Sequence, residues 1–154
     1  MFVVKKTLSP ETIEHLKQYV TVLQYMFRFD EEYRKDDFHI TIAYDKSGRP
    51  VTDTDLDQTE FVIKKSDIIG LDIFPYEGRN VLVLRLDFHA LHLRHAELVR
   101  KFDFLHEFKD NVRFHITLCR DLQETMNPIR FEEVKAFRKF DYDIQITGEE
   151  IEIK

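Results

Sequence analysis

Two seven-residue stretches of this chain repeat one another almost side chain for side chain: Phe38-His39-Ile40-Thr41-Ile42-Ala43-Tyr44 and Phe114-His115-Ile116-Thr117-Leu118-Cys119-Arg120. His115 follows His39 by 76 positions (115 − 39). Each stretch alternates apolar and polar residues between charged flanks, which predicts a strand with one buried face. Two such strands at this separation point to a fold with two similar halves, each covering its own apolar face.

The residues ahead of the motifs repeat as well. Phe2-Val3-Val4-Lys5-Lys6-Thr7-Leu8 predicts a strand, and Ser9-Pro10 provides a helix cap and a first-turn proline. Ile13, Leu16, Val20, Leu23 and Phe27 then recur at spacings of three and four, the signature of a helix with one core face. A charged turn over Asp30 to Asp37 leads into the first motif. The second half opens with Val81 to Leu86, continues into a helix with Leu91, Leu98, Phe102 and Leu105 on one face, and reaches its motif after a charged turn from Lys109 to Arg113. Between the halves lie a polar segment from Asp45 to Thr59, with Gly48 and Pro50, and strands over Phe61 to Phe74 broken near Gly70. The C-terminal Asp141 to Lys154 predicts a closing hairpin around Gly148-Glu149. With 154 residues the expectation is a single bilobal domain over 1–154, its lobes near 1–75 and 76–154.

Strand alternation sends His39, Thr41 and Ala43 to one face and Phe38, Ile40, Ile42 and Tyr44 to the other. The second copy sorts the same way, with His115, Thr117 and Cys119 opposite Phe114, Ile116 and Leu118. If the lobes face each other, two imidazoles and two hydroxyls converge. One histidine can then take a proton from an attacking hydroxyl or water while the other protonates the departing oxygen. Threonine hydroxyls can donate to non-bridging phosphate oxygens, so phosphodiester cleavage on this plan calls for no cofactor and no metal. Lys5 and Arg85 on the opening strands, and Tyr44 and Arg120 after the motifs, are candidates for holding phosphate or stacking on a base.

These residues resemble the 2H phosphoesterase superfamily, marked by a pair of His-x-Thr/Ser motifs each followed by an apolar residue, here His39-Ile40-Thr41-Ile42 and His115-Ile116-Thr117-Leu118. The resemblance implies an α+β, bilobal, pseudo-symmetric fold, with two mainly antiparallel sheets flanked by helices around a central cleft. It implies catalytic roles for His39, Thr41, His115 and Thr117. The short length, the form of the first motif and the Val4-Lys5-Lys6-Thr7-Leu8-Ser9-Pro10-Glu11 opening look like the phage enzymes that destroy the cyclic nucleotides of bacterial antiviral immunity. The implied substrate is then a small cyclic nucleotide or oligonucleotide and the implied setting a host cytoplasm. Cleavage of 2′,3′-cyclic phosphates at RNA ends is the alternative within the same chemistry, and a nucleotide-sequestering module without turnover is the alternative outside it.

Composition weighs on the partner. A net charge of −6 provides no broad positive field for long nucleic acid, although Lys5, Lys6, Arg85 and Arg120 form a local basic strip fit for a short RNA end. Neither a signal peptide nor a membrane-length apolar run occurs, and the single Cys119 excludes an internal disulfide, so a soluble cytoplasmic protein is expected, with no obligate protein partner evident. His89, His92 and His95 invite a metal reading, yet no carboxylate or cysteine stands at a completing spacing, and ordinary helix positions explain them better. His15 and His106 read as helix-surface residues. Cys119 as a nucleophile would need an orienting base for which the sequence gives no sign.

Overall fold

The computed structural model describes residues 2–45, 51–102, 112–123 and 128–153. Leu105, His106, Gly48, Pro50 and the first part of the second charged turn lie outside them. In chain order the elements are β1 (Phe2–Leu8), α1 (Pro10–Phe27), β2 (Ile40–Asp45), β3 (Phe61–Ile63), β4 (Ile68–Tyr76), β5 (Arg79–Leu86), α2 (His89–Phe102), β6 (His115–Cys119), α3 (Pro128–Ala136) and β7 (Ile144–Ile153). Two antiparallel sheets result, a four-stranded one ordered β2-β1-β7-β3 and a three-stranded one ordered β4-β5-β6. This is the α+β architecture that the resemblance implies.

Helix α1 forms where its signals put it. Ser9 Oγ accepts the Thr12 N–H at 3.1 Å, Pro10 opens the first turn, and Leu16, Val20, Leu23 and Phe27 are buried. The apolar backs of both sheets feed one core: Ile40 and Ile42 from β2, Ile116 and Leu118 from β6, and Leu91 and Leu98 from α2 belong to the same buried cluster. Burial of these faces is the main favourable term in folding, at about 25 cal/mol per Å² of apolar surface.

Each sheet draws strands from both halves of the chain. Strand β4, early in sequence, pairs with β5, while the C-terminal β7 sits between β1 and β3. The expected closing hairpin is therefore replaced by one ten-residue strand. Gly148, at φ 154°, does not turn the chain. It runs on through a bulge beside Thr147, and a Cβ there would overlap the Gln58 side-chain oxygen. Gln58 in turn donates to the Glu149 carbonyl and accepts the Glu149 N–H, extending the ladder that β3 begins. The break expected near Gly70 falls earlier, in a 3-10 turn at Lys65–Asp67, and Gly70 lies inside β4 beside a register shift. Helix α3, which packs on β4, has a weak apolar periodicity and no counterpart in the sequence reading.

Lys6 leaves the expected basic strip altogether. Its Nζ is buried 2.8 Å from Glu149 Oε2, and Glu149, whose side chain has 0% exposure, also accepts two hydrogen bonds from Arg94 of α2 at 2.9 Å and the Asp57 N–H at 2.8 Å. The group ties β1, β7, α2 and the segment before β3 together. Burial raises the Glu149 pKa, but the hydrogen bonds from Arg94, Lys6 and the Asp57 amide outweigh it and leave the carboxyl below 4.5. Because the folded pKa is the lower one, the stabilisation is present above the ordinary carboxylate range and is lost as pH falls through the folded value. Glu149→Gln should cost about 3–5 kcal/mol by stranding two buried cations. Urea unfolding at pH 7 and at pH 3 checks both points, with the mutant's deficit expected to shrink at the acidic end.

Candidate active site

The two motif strands are the edges of their sheets, and they approach one another across the junction between the sheets. His39, one residue ahead of β2, and His115, the first residue of β6, are both half-buried, as are Thr41 and Thr117. The imidazoles are held identically. His39 Nδ1 lies 2.9 Å from the Asp37 carbonyl and His115 Nδ1 lies 2.9 Å from the Arg113 carbonyl, two residues upstream in each case. A carbonyl only accepts, so each Nδ1 carries a proton and each neutral ring keeps its lone pair on Nε2.

Cross-strand register supplies the neighbours. Lys5 stands opposite Thr41 and Arg85 opposite His115, so the repeat is not a perfect copy. Lys5 Nζ reaches Glu152 at 2.7 Å and Glu150 at 3.2 Å, and Arg85 reaches Asp72 at 3.3 Å while its Nε is buried without a hydrogen-bond partner. Phe74 meets the His115 ring edge to face at 5.0 Å, with the Arg113 guanidinium over the Phe74 ring at 4.4 Å. Phe74 and Asp72 were not among the residues the sequence pattern singled out, because their strand partners are visible only in the register.

Both motif strands carry a bulge at the same position. In β2, Thr41 pairs with Lys5 and Ala43 with Val4, leaving Ile42 unmatched. In β6, Thr117 pairs with Val83 and Cys119 with Leu82, leaving Leu118 unmatched. A bulge shifts the alternation by one residue. It corrects the sequence reading of the two strands: Ala43 and Cys119 turn to the core, where both are fully buried, and Tyr44, opposite Val3, comes round to the face of Thr41 and Lys5. Arg120 lies just past β6, exposed, with its guanidinium donating to the Glu32 carbonyl and its N–H to the Tyr33 carbonyl at 2.7 Å. Each unmatched residue is also held from outside its sheet: the Leu118 carbonyl accepts the Lys35 N–H at 3.0 Å, and the Ile42 carbonyl lies 2.7 Å from His95 Nδ1.

Burial lowers the pKa of both motif imidazoles. At His39 the Asp37 carbonyl works against burial and the charge of Lys5 adds to it, and the net position is below 6.5. At His115 the Arg113 carbonyl opposes burial, while positive charge on His39, Arg113 and Arg85 deepens the depression. His115 therefore senses the charge on His39. A cavity of about 230 Å³ adjoins His39, lined by Lys5, Thr7, Leu8, Ile13, Asp36, Asp37, Phe38 and Glu150. A larger, open concavity of about 700 Å³ at the end of α1 is lined by Thr21, Gln24, Tyr25, Met26, Arg28 and Phe29, none of them a candidate acid or base near neutral pH.

The remaining candidates have ordinary roles. His92 pairs with Asp87 at 3.1 Å, His95 is buried against β2, and His15 stacks on Tyr142 at 3.7 Å between centroids. Among the described residues no group of three His, Cys, Asp or Glu is placed to hold a metal ion. Burial pushes the Cys119 thiol up to about 12, and its Sγ donates to the Asp121 carbonyl at 3.2 Å, so it is no nucleophile at neutral pH. No described helix is long and apolar enough to cross a membrane.

The family described as anti-CBASS protein Acb1 matches residues 3–153. Solved structures similar in fold include E. coli LigT complexed with 3′-AMP, at TM-score 0.54 and 16% identity over 97% of this chain and 85% of that one. E. coli LigT complexed with phosphate gives TM-score 0.53 and 16% identity over 97% and 84%. A protein described only as a phosphoesterase gives TM-score 0.52 and 12% identity over 97% and 85%. No curated protein matches.

Two measurements check the site as described. NMR titration should place the midpoints of His39 and His115 below 6.5, and the His115 midpoint should rise when His39 is replaced by Asn. Cys119 should resist a thiol reagent in the folded protein and react once denaturant is added.

Proposed function

The chain belongs to the anti-CBASS protein Acb1 family, and from that premise we propose that it is a phosphodiesterase cleaving a cyclic nucleotide or cyclic oligonucleotide signal by two-histidine acid/base catalysis, without a metal ion. The observation that carries this reading is the matched support of the two imidazoles, each with Nδ1–H committed to a backbone carbonyl and Nε2 left to exchange a proton. One Nε2 accepts the proton of the attacking hydroxyl or water. The other, protonated at the start, gives its proton to the departing oxygen, so the pair ends with its charge moved from one ring to the other. Thr41 and Thr117 donate to the non-bridging phosphoryl oxygens. Arg85, opposite His115, has a buried Nε that a phosphoryl oxygen would satisfy.

The charge balance supports a small substrate. Glu150, Glu152 and Asp72 already partner the basic residues nearest the motifs, and Asp36 and Asp37 line the adjoining cavity, so a polyanionic chain meets as much repulsion as attraction there. Tyr44, on the face of Thr41, and Arg120 are assigned to the nucleoside portion of the ligand.

His39→Ala and His115→Ala should each lower turnover by about 10²–10⁴-fold with unfolding midpoints little changed. Turnover should survive EDTA and follow a bell-shaped pH profile whose limbs lie below the ordinary imidazole value. A panel of cyclic dinucleotides, cyclic trinucleotides and 2′,3′-cyclic-phosphate RNA, read by mass spectrometry, tests the substrate. Cleavage of the RNA end alone would replace the proposed substrate, and tight binding with every mass unchanged would replace the enzyme by a sequestering module.

A further inference from the structure

We propose that His95 is a positioning residue for the first motif, holding the bulge at Ile42 that turns the strand between Thr41 and Tyr44; the inference rests on the phosphodiesterase reading above. His95 is buried in α2, and its Nδ1 lies 2.7 Å from the Ile42 carbonyl. Since the carbonyl only accepts, Nδ1 is the donor. Ile42 is the one residue of β2 without a partner on β1, standing between Thr41 and Ala43, and its carbonyl is the group that the imidazole engages, so the hydrogen bond falls at the bulge itself.

The second lobe meets the same need at the same motif position. Leu118 is unmatched in β6, and its carbonyl accepts the Lys35 N–H. One bulge is secured by a main-chain amide and the other by an imidazole. The side chain preceding His95 fixes the helix that delivers it: Arg94 is locked to Glu149, which also holds Lys6, and Lys6 pairs in register with Ile40. Helix α2 thus grips the β1–β2 pair on both sides of Thr41. Removing the donor frees the bulge to relax, which moves Thr41 and Tyr44 relative to the second lobe while the ligand's other contacts persist. Displacements of about 1 Å at a reacting centre reduce rates by about 10²-fold.

The experiment compares wild type, His95→Leu, His95→Asn and His95→Gln in steady-state cleavage of the cyclic nucleotide that wild type turns over, with His115→Ala as the inactive control. Asn sets an amide N–H near the place of Nδ1, Leu keeps bulk without a donor, and Gln reaches toward the place of Nε2. The expected result is a ten- to hundredfold loss of kcat in His95→Leu and His95→Gln with KM changed less than threefold, an unshifted pH profile, and recovery to within about threefold in His95→Asn. If His95→Leu does not fold, the contrast between Asn and Gln carries the same decision. Equal kcat in Asn and Gln, or full kcat in Leu, overturns the inference and leaves the phosphodiesterase reading standing. Absence of turnover in wild type on every cyclic nucleotide overturns that reading instead, and the inference with it.

Discussion

The hydrogen bond from the Lys35 N–H to the bulged Leu118 carbonyl governs the rest of the site. Lys35 stands four residues before His39, and Leu118 three residues after His115. The approach to one motif therefore starts from the strand that carries the other. Neighbouring bonds reinforce it: the Arg120 N–H to the Tyr33 carbonyl, a bridge between Arg34 and Cys119, and a reciprocal pair between Asp30 and Gln123. Arg34 ties the same strap to α1 through the Lys17 carbonyl and Thr21. The end of edge strand β6, which would otherwise expose unpaired main-chain groups, is thereby covered by the segment that leads into β2, so that the backbone itself ties the two motifs together.

Charge serves two different ends on the two sides of the first sheet. On the core side, Lys6, Glu149 and Arg94 are desolvated, and their stability depends on every hydrogen bond being present, since losing one member leaves unpaired charge in a poorly screened environment. On the motif side, Lys5 is buried but its partners Glu150 and Glu152 are exposed to solvent, which screens the pairs and weakens them relative to the enclosed group on the core side. The first arrangement fixes the fold. The second adds a minor positive influence at His39, whose basicity, like that of His115, is depressed chiefly by burial.

Local signals were legible wherever they were short-range. Ser9-Pro10 announces α1, the apolar spacing gives its buried face, and the repeated His-x-Thr pattern predicts two strands of the same kind, placed by the fold at two sheet edges. What escaped the sequence depends on partners distant in the chain. Alternation put Ala43 and Cys119 beside the threonines, and the register shifts at Ile42 and Leu118 reversed this, because a bulge is defined by the opposite strand. Lys6 read as surface charge since Glu149 and Arg94 are 143 and 88 positions away (149 − 6, 94 − 6). The turn from β4 to β5 had a usable signal in Glu77-Gly78, both at positive φ, as a two-residue hairpin requires. Gly148 misled because glycine also marks a bulge or a close approach, which is its use here.

The unlike props beneath the two bulges have a consequence for how such a chain can change over generations. A main-chain amide is supplied by every amino acid except proline, so the second lobe's prop tolerates almost any codon at position 35. The first lobe's prop is written in one imidazole, and a single nucleotide change can erase it. Drift in a lineage of such proteins should therefore fall unequally on the two lobes, with the half anchored by a side chain being the one through which activity is most readily tuned or lost.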